Sequence, residues 1–343
     1  MAERVVLHVG TMKSGTTFLQ NVVSANEEPL RAQGVSFVGR KWRDQIKAAQ
    51  DAIEHGGDKQ PALDPDGPWA RIVHEMEEWP GTALFSVEFF GARKPSKIEQ
   101  IIGSLRGASV TVVFTARDLA RTIPSMWQES VQNGGQATWE DYLAAIRAQQ
   151  RGDVLAEAFW RQQGVAAMAR RWAEVVGPDN VVVVTAPPKG APHDLLWQRY
   201  AGVLGIDPAS CSLDVPANPS LGLASTMVLR ALNEQLATDP LGRSAYHQRV
   251  KRVLAKQGMA RHRSDEPTLG LDEAWVYERS AAQIAALRRL GCPVVGDLDE
   301  LTSFPVPGVQ PDAVSVEQQL LAAVRGLEHA VRDLTYSKSR RTK

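Results

Sequence analysis

The chain has 343 residues, with 39 Lys plus Arg against 39 Asp plus Glu, so its formal charge at neutral pH is zero. Such a balance removes the long-range field that draws a protein to nucleic acid or an anionic membrane. Two cysteines give no disulfide framework and no zinc-type spacing. No stretch approaches the roughly 20 apolar residues of a membrane span.

The N-terminus passes from Met1–Arg4 into an apolar run without a leader segment, so a cytoplasmic location is expected. Val5 to Val9 reads as a buried strand. A glycine-bounded loop follows, and then a helix over about Thr16 to Asn26 with Phe18, Leu19, Val22 and Val23 on one face. Val35 to Val38 is a second strand. Residues 40–80 form an insertion: a helix near Trp42 to His55, a Gly-, Pro- and Asp-rich loop over 56–68, and a helix from Trp69 to Trp79. Ala83 to Val87 is a third strand with Glu88 at its C-terminal end, and Ile98 to Leu105 a crossover helix. Val110 to Ala116 is a β-branched buried strand ending at Arg117. A helix from Leu119 should be bent or interrupted at Pro124. Thr138 caps another helix, Phe159 to Val176 is a long amphipathic helix, Val181 to Thr185 a strand, and Leu195 to Leu204 a helix.

Strands alternating with helices give an α/β class fold, a central parallel sheet with helices on both faces. A single domain over 1–335 is expected, with its core in 1–39 and 81–210 and a helical C-terminal part in 211–335. That part holds a helix opened by Asn218-Pro-Ser-Leu and running to about Leu236, and a linker-like basic stretch from Arg249 to Arg263, which reads as a solvated helix face and alternatively as cover for the donor's phosphates or an anionic acceptor. A helix over Trp275–Leu290 and a short strand and turn over 293–298 follow. The last helix, 314–334, carries apolar residues at 316, 320, 321, 324, 327, 331 and 334, which suits packing on the body or a homodimer through the C-terminal helices. Residues 336–343 read as a basic, disordered tail.

The chemistry concentrates in the first loop, Gly10-Thr11-Met12-Lys13-Ser14-Gly15-Thr16-Thr17. A strand, a glycine loop and a helix start turn backbone N–H groups and the positive helix end towards one spot, which attracts phosphate-like anions. The spacing of Gly10 and Gly15 is that of the nucleotide P-loop, but Thr16 stands where that motif places its lysine, and Lys13 lies two residues before Gly15. Glu88 falls where ligands sit in open α/β sheets, beyond the strand ends. Flanked by Val87, Phe89 and Phe90, it would be partly desolvated, which suits a general base; it could instead pair with Lys13 or Arg93 and only hold the loop. Arg117, at the end of a buried strand, offers a planar fork for phosphate oxygens; an ion pair with Asp118 is the plainer reading. His8, inside an apolar strand, reads as a hydrogen-bonded core residue, and the other histidines show no metal-binding spacing.

A loop reading K-S-G-T-T after a strand, and an arginine at a strand end with a serine eight positions on (Arg117, Ser125), resemble the sulfotransferase family, in its bacterial soluble branch. That resemblance covers roughly residues 5–130. It implies 3′-phosphoadenosine-5′-phosphosulfate (PAPS) as donor, adenosine 3′,5′-bisphosphate (PAP) as product, and no metal. It implies that Gly10 to Thr17 hold the 5′-phosphosulfate, that Lys13 stabilises the leaving group, that Glu88 takes the acceptor's proton, and that Arg117 and Ser125 grip the 3′-phosphate. The glycine-rich R-K-G loop of the classic cytosolic enzymes is absent, which leaves Trp127 or Trp160 as candidates to stack on adenine. The acceptor is expected to be a small molecule or carbohydrate, with no nucleic-acid or membrane partner. A P-loop kinase of a small metabolite and a non-catalytic nucleotide-binding protein are the other classes to weigh.

Overall fold

The computed structural model describes residues 2–39, 42–54, 63–105, 107–216 and 220–339. Six strands form one all-parallel sheet: β1 (Arg4–Gly10), β2 (Val35–Phe37), β3 (Thr82–Ser86), β4 (Ser109–Ala116), β5 (Val181–Thr185) and β6 (Val294–Val295), in the order β2-β3-β1-β4-β5-β6. The strands are apolar on both sides because helices cover both faces, as parallel sheets require. Alternation divides the faces. Val5, Leu7 and Val9 join Phe85, Val112, Phe114 and Val183 in one core, and Val6 joins Leu84, Val113 and Val184 in the other.

The helices are α1 (Thr16–Ala25), α2 (Glu27–Ala32), α3 (Trp42–Glu54), α4 (Pro68–Glu78), α5 (Pro95–Ser104), α6 (Leu119–Gln132), α7 (Trp139–Ala148), α8 (Val154–Gln163), α9 (Val165–Val176), α10 (Leu195–Leu204), α11 (Leu223–Leu236), α12 (Arg243–Tyr246), α13 (Ala274–Leu290) and α14 (Val316–Ser339). The α/β class and the parallel sheet are as the sequence implies, but four local readings change. The stretch 159–176 is two helices, because Gly164 leaves helical geometry between them. α6 continues through Pro124; the missing N–H deprives only the Ala120 carbonyl, in the helix's opening turns. The basic stretch is helical, as its reading as a helix face implies, and not linker-like: His247–Gly258 is wound as a π-helix and Met259–Asp265 as a 3-10 turn, with Val250, Val253 and Ala255 buried. The last helix begins at Val316 and extends to Ser339, beyond the 334 limit expected. The opening Asn218-Pro and most of the 56–68 loop fall outside the described residues, as do His55 and residues 340–343.

The chain divides into two compact units, one of residues 1–119, 158–217 and 278–302, the other of residues 120–157, 218–277 and 303–343. The first holds the sheet. The second is helical, built around a buried Trp127–Trp139 pair with ring centroids 5.4 Å apart, and Trp127 donates its indole N–H to the Ala137 carbonyl at 3.0 Å. Its Thr138 hydroxyl accepts from the Asp141 N–H, capping α7 as the sequence implies.

In the first unit, Arg199 on α10 locks the end of β5 to the 3-10 turn Leu298–Leu301. Its fork reaches both carboxylate oxygens of Glu300, at 2.7 and 2.8 Å, and the Thr185 carbonyl at 2.8 Å. The pair is largely enclosed, with side-chain exposures of 13% and 20%. Removing one partner strands the other charge, so Arg199→Met is expected to lower stability by about 3 kcal/mol in urea unfolding. A change within experimental error would show the pair to be a spectator.

Candidate functional site

Three adjacent strands, β3, β1 and β4, end side by side, and the reversal of strand order falls at β1. That is the position where open parallel sheets bind ligands. The loop Gly10–Gly15 leaves β1 there. Gly10 and Gly15 have φ of 135° and 96°, and Lys13 also lies in the left-handed region at 65°. A Cβ on Gly15 would stand 2.4 Å from Leu196 Cδ2, so this position has neither the conformation nor the room for a side chain.

The loop is tied chiefly to the end of β4. The Thr11 N–H donates to the Thr115 carbonyl at 2.6 Å, and the Thr11 hydroxyl donates to the same oxygen at 3.1 Å. Thr115 Oγ1 donates to the Gly10 carbonyl at 3.1 Å and meets Ser14 Oγ at 2.6 Å. The Ser14 hydroxyl also bonds the Thr11 carbonyl. From farther along the chain, Gln163 Nε2 donates to the Met12 carbonyl at 3.0 Å, and an Arg117 guanidinium N–H to the Lys13 carbonyl at 3.4 Å.

Held this way, the loop delivers an uncapped helix. Gly15 is the residue before α1, no side chain caps the helix, and its first turn contains no acidic residue. The first N–H groups of a helix have no partner within it, and the helix dipole puts partial positive charge at that end. An anion is the group that satisfies both. Thr16 is buried in the first turn, Thr17 is exposed, and Met12 and Lys13 are half-buried.

His8 lies directly beneath, buried between β3 and β4. Its Nδ1 is 2.9 Å from Ser86 Oγ and its Nε2 3.2 Å from Thr115 Oγ1. Gln20 on α1 donates to the Ser86 carbonyl at 3.1 Å. Complete burial pulls the His8 pKa down to about 3, so the ring is neutral at physiological pH and acts as a cross-strand strut, the role its place in an apolar strand implies.

Glu88 opens the single 3-10 turn Glu88–Phe90 just after β3. A Cβ on Gly10 would lie 3.9 Å from the Glu88 carbonyl oxygen and 4.0 Å from Glu88 Cβ, so this residue borders the loop. Glu88 itself is half-buried. Among the described residues its carboxylate makes no hydrogen bond or ion pair, and the pairing with Lys13 or Arg93 is not formed.

A few residues past Glu88, Arg93 is held among other arginines. Burial, with repulsion from Arg161 and Arg171, holds the Arg93 guanidinium below its ordinary range, and Arg93 Nε is enclosed without a partner among the described residues. Arg171 donates to the Arg93 carbonyl at 3.1 Å, and Trp172 to the Gly91 carbonyl at 3.2 Å. Gly91 permits this packing: a Cβ there would lie 2.4 Å from the Val9 carbonyl oxygen.

The structure therefore gathers Gly10–Thr17, Glu88 and Arg117 at neighbouring strand ends of the first unit. Ser125 belongs to the other unit, on α6, where its hydroxyl donates to the Arg121 carbonyl at 3.0 Å. Trp127 is a core residue there, and Trp160 is half-buried, edge-on to Phe159. Lys251 and Arg249 of the basic stretch are engaged, by Glu129 at 2.8 Å and Asp333 at 3.7 Å. A cleft of about 690 Å³ runs along the β2 edge between α2, α3 and α4, lined by Arg31, Lys47, Arg71, Glu75 and Trp79, and is separate from the loop. Gln163 and Thr115 were not singled out in the sequence. Thr115 could have been found as the polar break in an apolar strand, whereas nothing local marks Gln163.

No family model matches this chain, and no curated protein matches it. Among solved structures, the crystal structure of a sulfotransferase from Alicyclobacillus acidocaldarius is similar, with 17% identity and a TM-score of 0.43 over 72% of this chain and all of that one. Among the described residues, no helix is long and apolar enough to cross a membrane, and no group of three His, Cys, Asp or Glu is placed to hold a metal ion.

The His8 strut makes a signed prediction. Its folded pKa lies below its unfolded value of 6.5, so its contribution is complete above pH 6.5 and is lost as pH falls towards 3. The stability difference between wild type and His8→Asn should shrink by about 1.4 kcal/mol per pH unit below 6.5. Urea unfolding from pH 4 to 8 measures it; a difference independent of pH would mean the ring is not buried neutral.

Proposed function

We propose that this protein is a sulfotransferase, moving a sulfuryl group from PAPS to a hydroxyl or amine of a small-molecule or carbohydrate acceptor. The observation that carries the reading is the uncapped N-terminus of α1, with Lys13 in its loop, bordered by the unpaired carboxylate of Glu88. A cradle for an anionic group and a free base, side by side at a strand end, are what group transfer from a phosphate-bearing donor needs. The absence of lysine after Gly15 favours a donor other than a nucleoside triphosphate.

In this reading the backbone N–H groups of the Gly10–Thr17 loop and the hydroxyls of Thr16 and Thr17 hold the donor's 5′-phosphosulfate. Arg117, whose fork already reaches the loop at Lys13, supplies positive charge for the donor's other phosphate. Glu88 accepts the acceptor's proton as the new bond to sulfur forms. The bond from sulfur to the bridging oxygen breaks, its electron pair stays on the 5′-phosphate of PAP, and Lys13 offsets the charge that develops there.

With PAPS and a panel of hydroxyl and amine acceptors, product formation should fall at least ~10²-fold in Lys13→Ala and in Glu88→Gln. Glu88→Gln should leave donor affinity nearly unchanged, since it removes a proton acceptor and no donor contact. Wild-type turnover in Glu88→Gln would remove it from the mechanism, and turnover of magnesium-ATP in place of PAPS would replace the whole reading with a kinase.

A further inference from the structure

The last helix has two faces with opposite fates. Within its own unit, Ala322 and Gly326 are buried, a Cβ on Gly326 would stand 2.9 Å from Leu254 and Met259, Arg325 bonds Asp265 at 3.1 Å, and Asp333 bonds Arg249. The other face carries Val316, Leu320, Leu321, Val324, Leu327, Val331 and Leu334, each between 49% and 76% exposed. Seven large apolar side chains in water on one helix are far outside the scattered single exposures normal for a soluble surface.

Their spacing says what covers them. From Leu320 the intervals are four, three, four and three, ending at Leu334, which is a heptad seam with period 3.5 and not the broader stripe of a core-facing helix. In that register Val324 and Val331 occupy a, and Leu320, Leu327 and Leu334 occupy d. β-Branched residues at a with leucine at d are the combination that favours two parallel strands. Val316 then falls at g and Leu321 at e, positions that meet across a parallel pair, so the two remaining exposed apolar residues also find each other. The other flanking pair, Ala323 with Glu328, contains no like charges. The residues packed on the body are b, c and f positions, so the seam can close without disturbing them.

We propose that the chain is a homodimer joined by a parallel two-stranded coiled coil of α14 with the α14 of a second copy. The seam of each helix is complementary to itself, which is the condition for an interface with two-fold symmetry.

Sedimentation velocity of the full chain over a range of micromolar concentrations tests this. Wild type is expected at twice 37.5 kDa and Leu327→Glu at 37.5 kDa, with a folded circular dichroism spectrum retained because the body-facing side is unchanged, and with a urea midpoint that depends on protein concentration only in the wild type. A wild type that is monomeric throughout, a trimer or larger species, or a Leu327→Glu variant that stays dimeric would overturn the proposal. Leu327→Cys fixes the direction. Cys211 and Cys292 are buried, so oxidation should yield one disulfide-linked dimer through position 327. A dimer that does not cross-link there would overturn the parallel arrangement.

Discussion

Thr115 is the residue on which the candidate site depends. Its backbone carbonyl takes the Thr11 N–H and hydroxyl, and its side chain meets Ser14, His8 and the Gly10 carbonyl. One residue at the end of β4 thus fixes the path of the chain leaving β1. Between the last strand pairing of β1 at Gly10 and the first helix bond of α1 at Gly15 the backbone, left-handed at Gly10, Lys13 and Gly15, is held by these side-chain and loop hydrogen bonds. With the loop fixed, the N-terminus of α1 is aimed, and Glu88 and Arg117 follow from the parallel register that ends β3 and β4 beside it.

The protein's neutral net charge conceals a site that is locally unbalanced. A helix start without a cap, with Lys13 in its loop, lies beside the half-buried Glu88, and the Arg93 guanidinium is repelled by Arg161 and Arg171. Folding tolerates this because the cost is local, while the sheet and its two apolar layers carry the stability. An uncapped helix start held in place by its loop is preorganised for an anionic ligand and does not have to rearrange to receive it.

Much of this was legible in the residues, for identifiable reasons. The glycine spacing, the apolar run before it and the helical period after it are all within twenty residues, so the loop could be read directly; the same holds for Val110–Ala116 with Arg117 and for the strand ending at Glu88. His8 could be placed in the core because apolar residues surround it in sequence. What could not be read is long-range. Nothing near Gln163 announces that it bonds Met12, 151 positions away, nor that Arg161 and Arg171 stand by Arg93. The apolar period of 159–176 runs across Gly164 without a break, and it resumes on a second helix. The stripe on α14 was visible as a period, but which side faced the body depended on Gly326 and Ala322, small residues whose close packing only the fold reveals.

Under the proposed function the loop after β1 binds a nucleotide bearing a 3′-phosphate. Thermal unfolding with PAP, beside ATP with magnesium, ADP and 5′-AMP, tests it without any knowledge of the acceptor. A ligand at about 100 times its dissociation constant stabilises the folded state by about 2.7 kcal/mol, a shift of a few degrees. That shift is expected with PAP, with none of comparable size from the nucleotides lacking a 3′-phosphate, and it should be lost in Arg117→Ala. A shift with magnesium-ATP and none with PAP would contradict it.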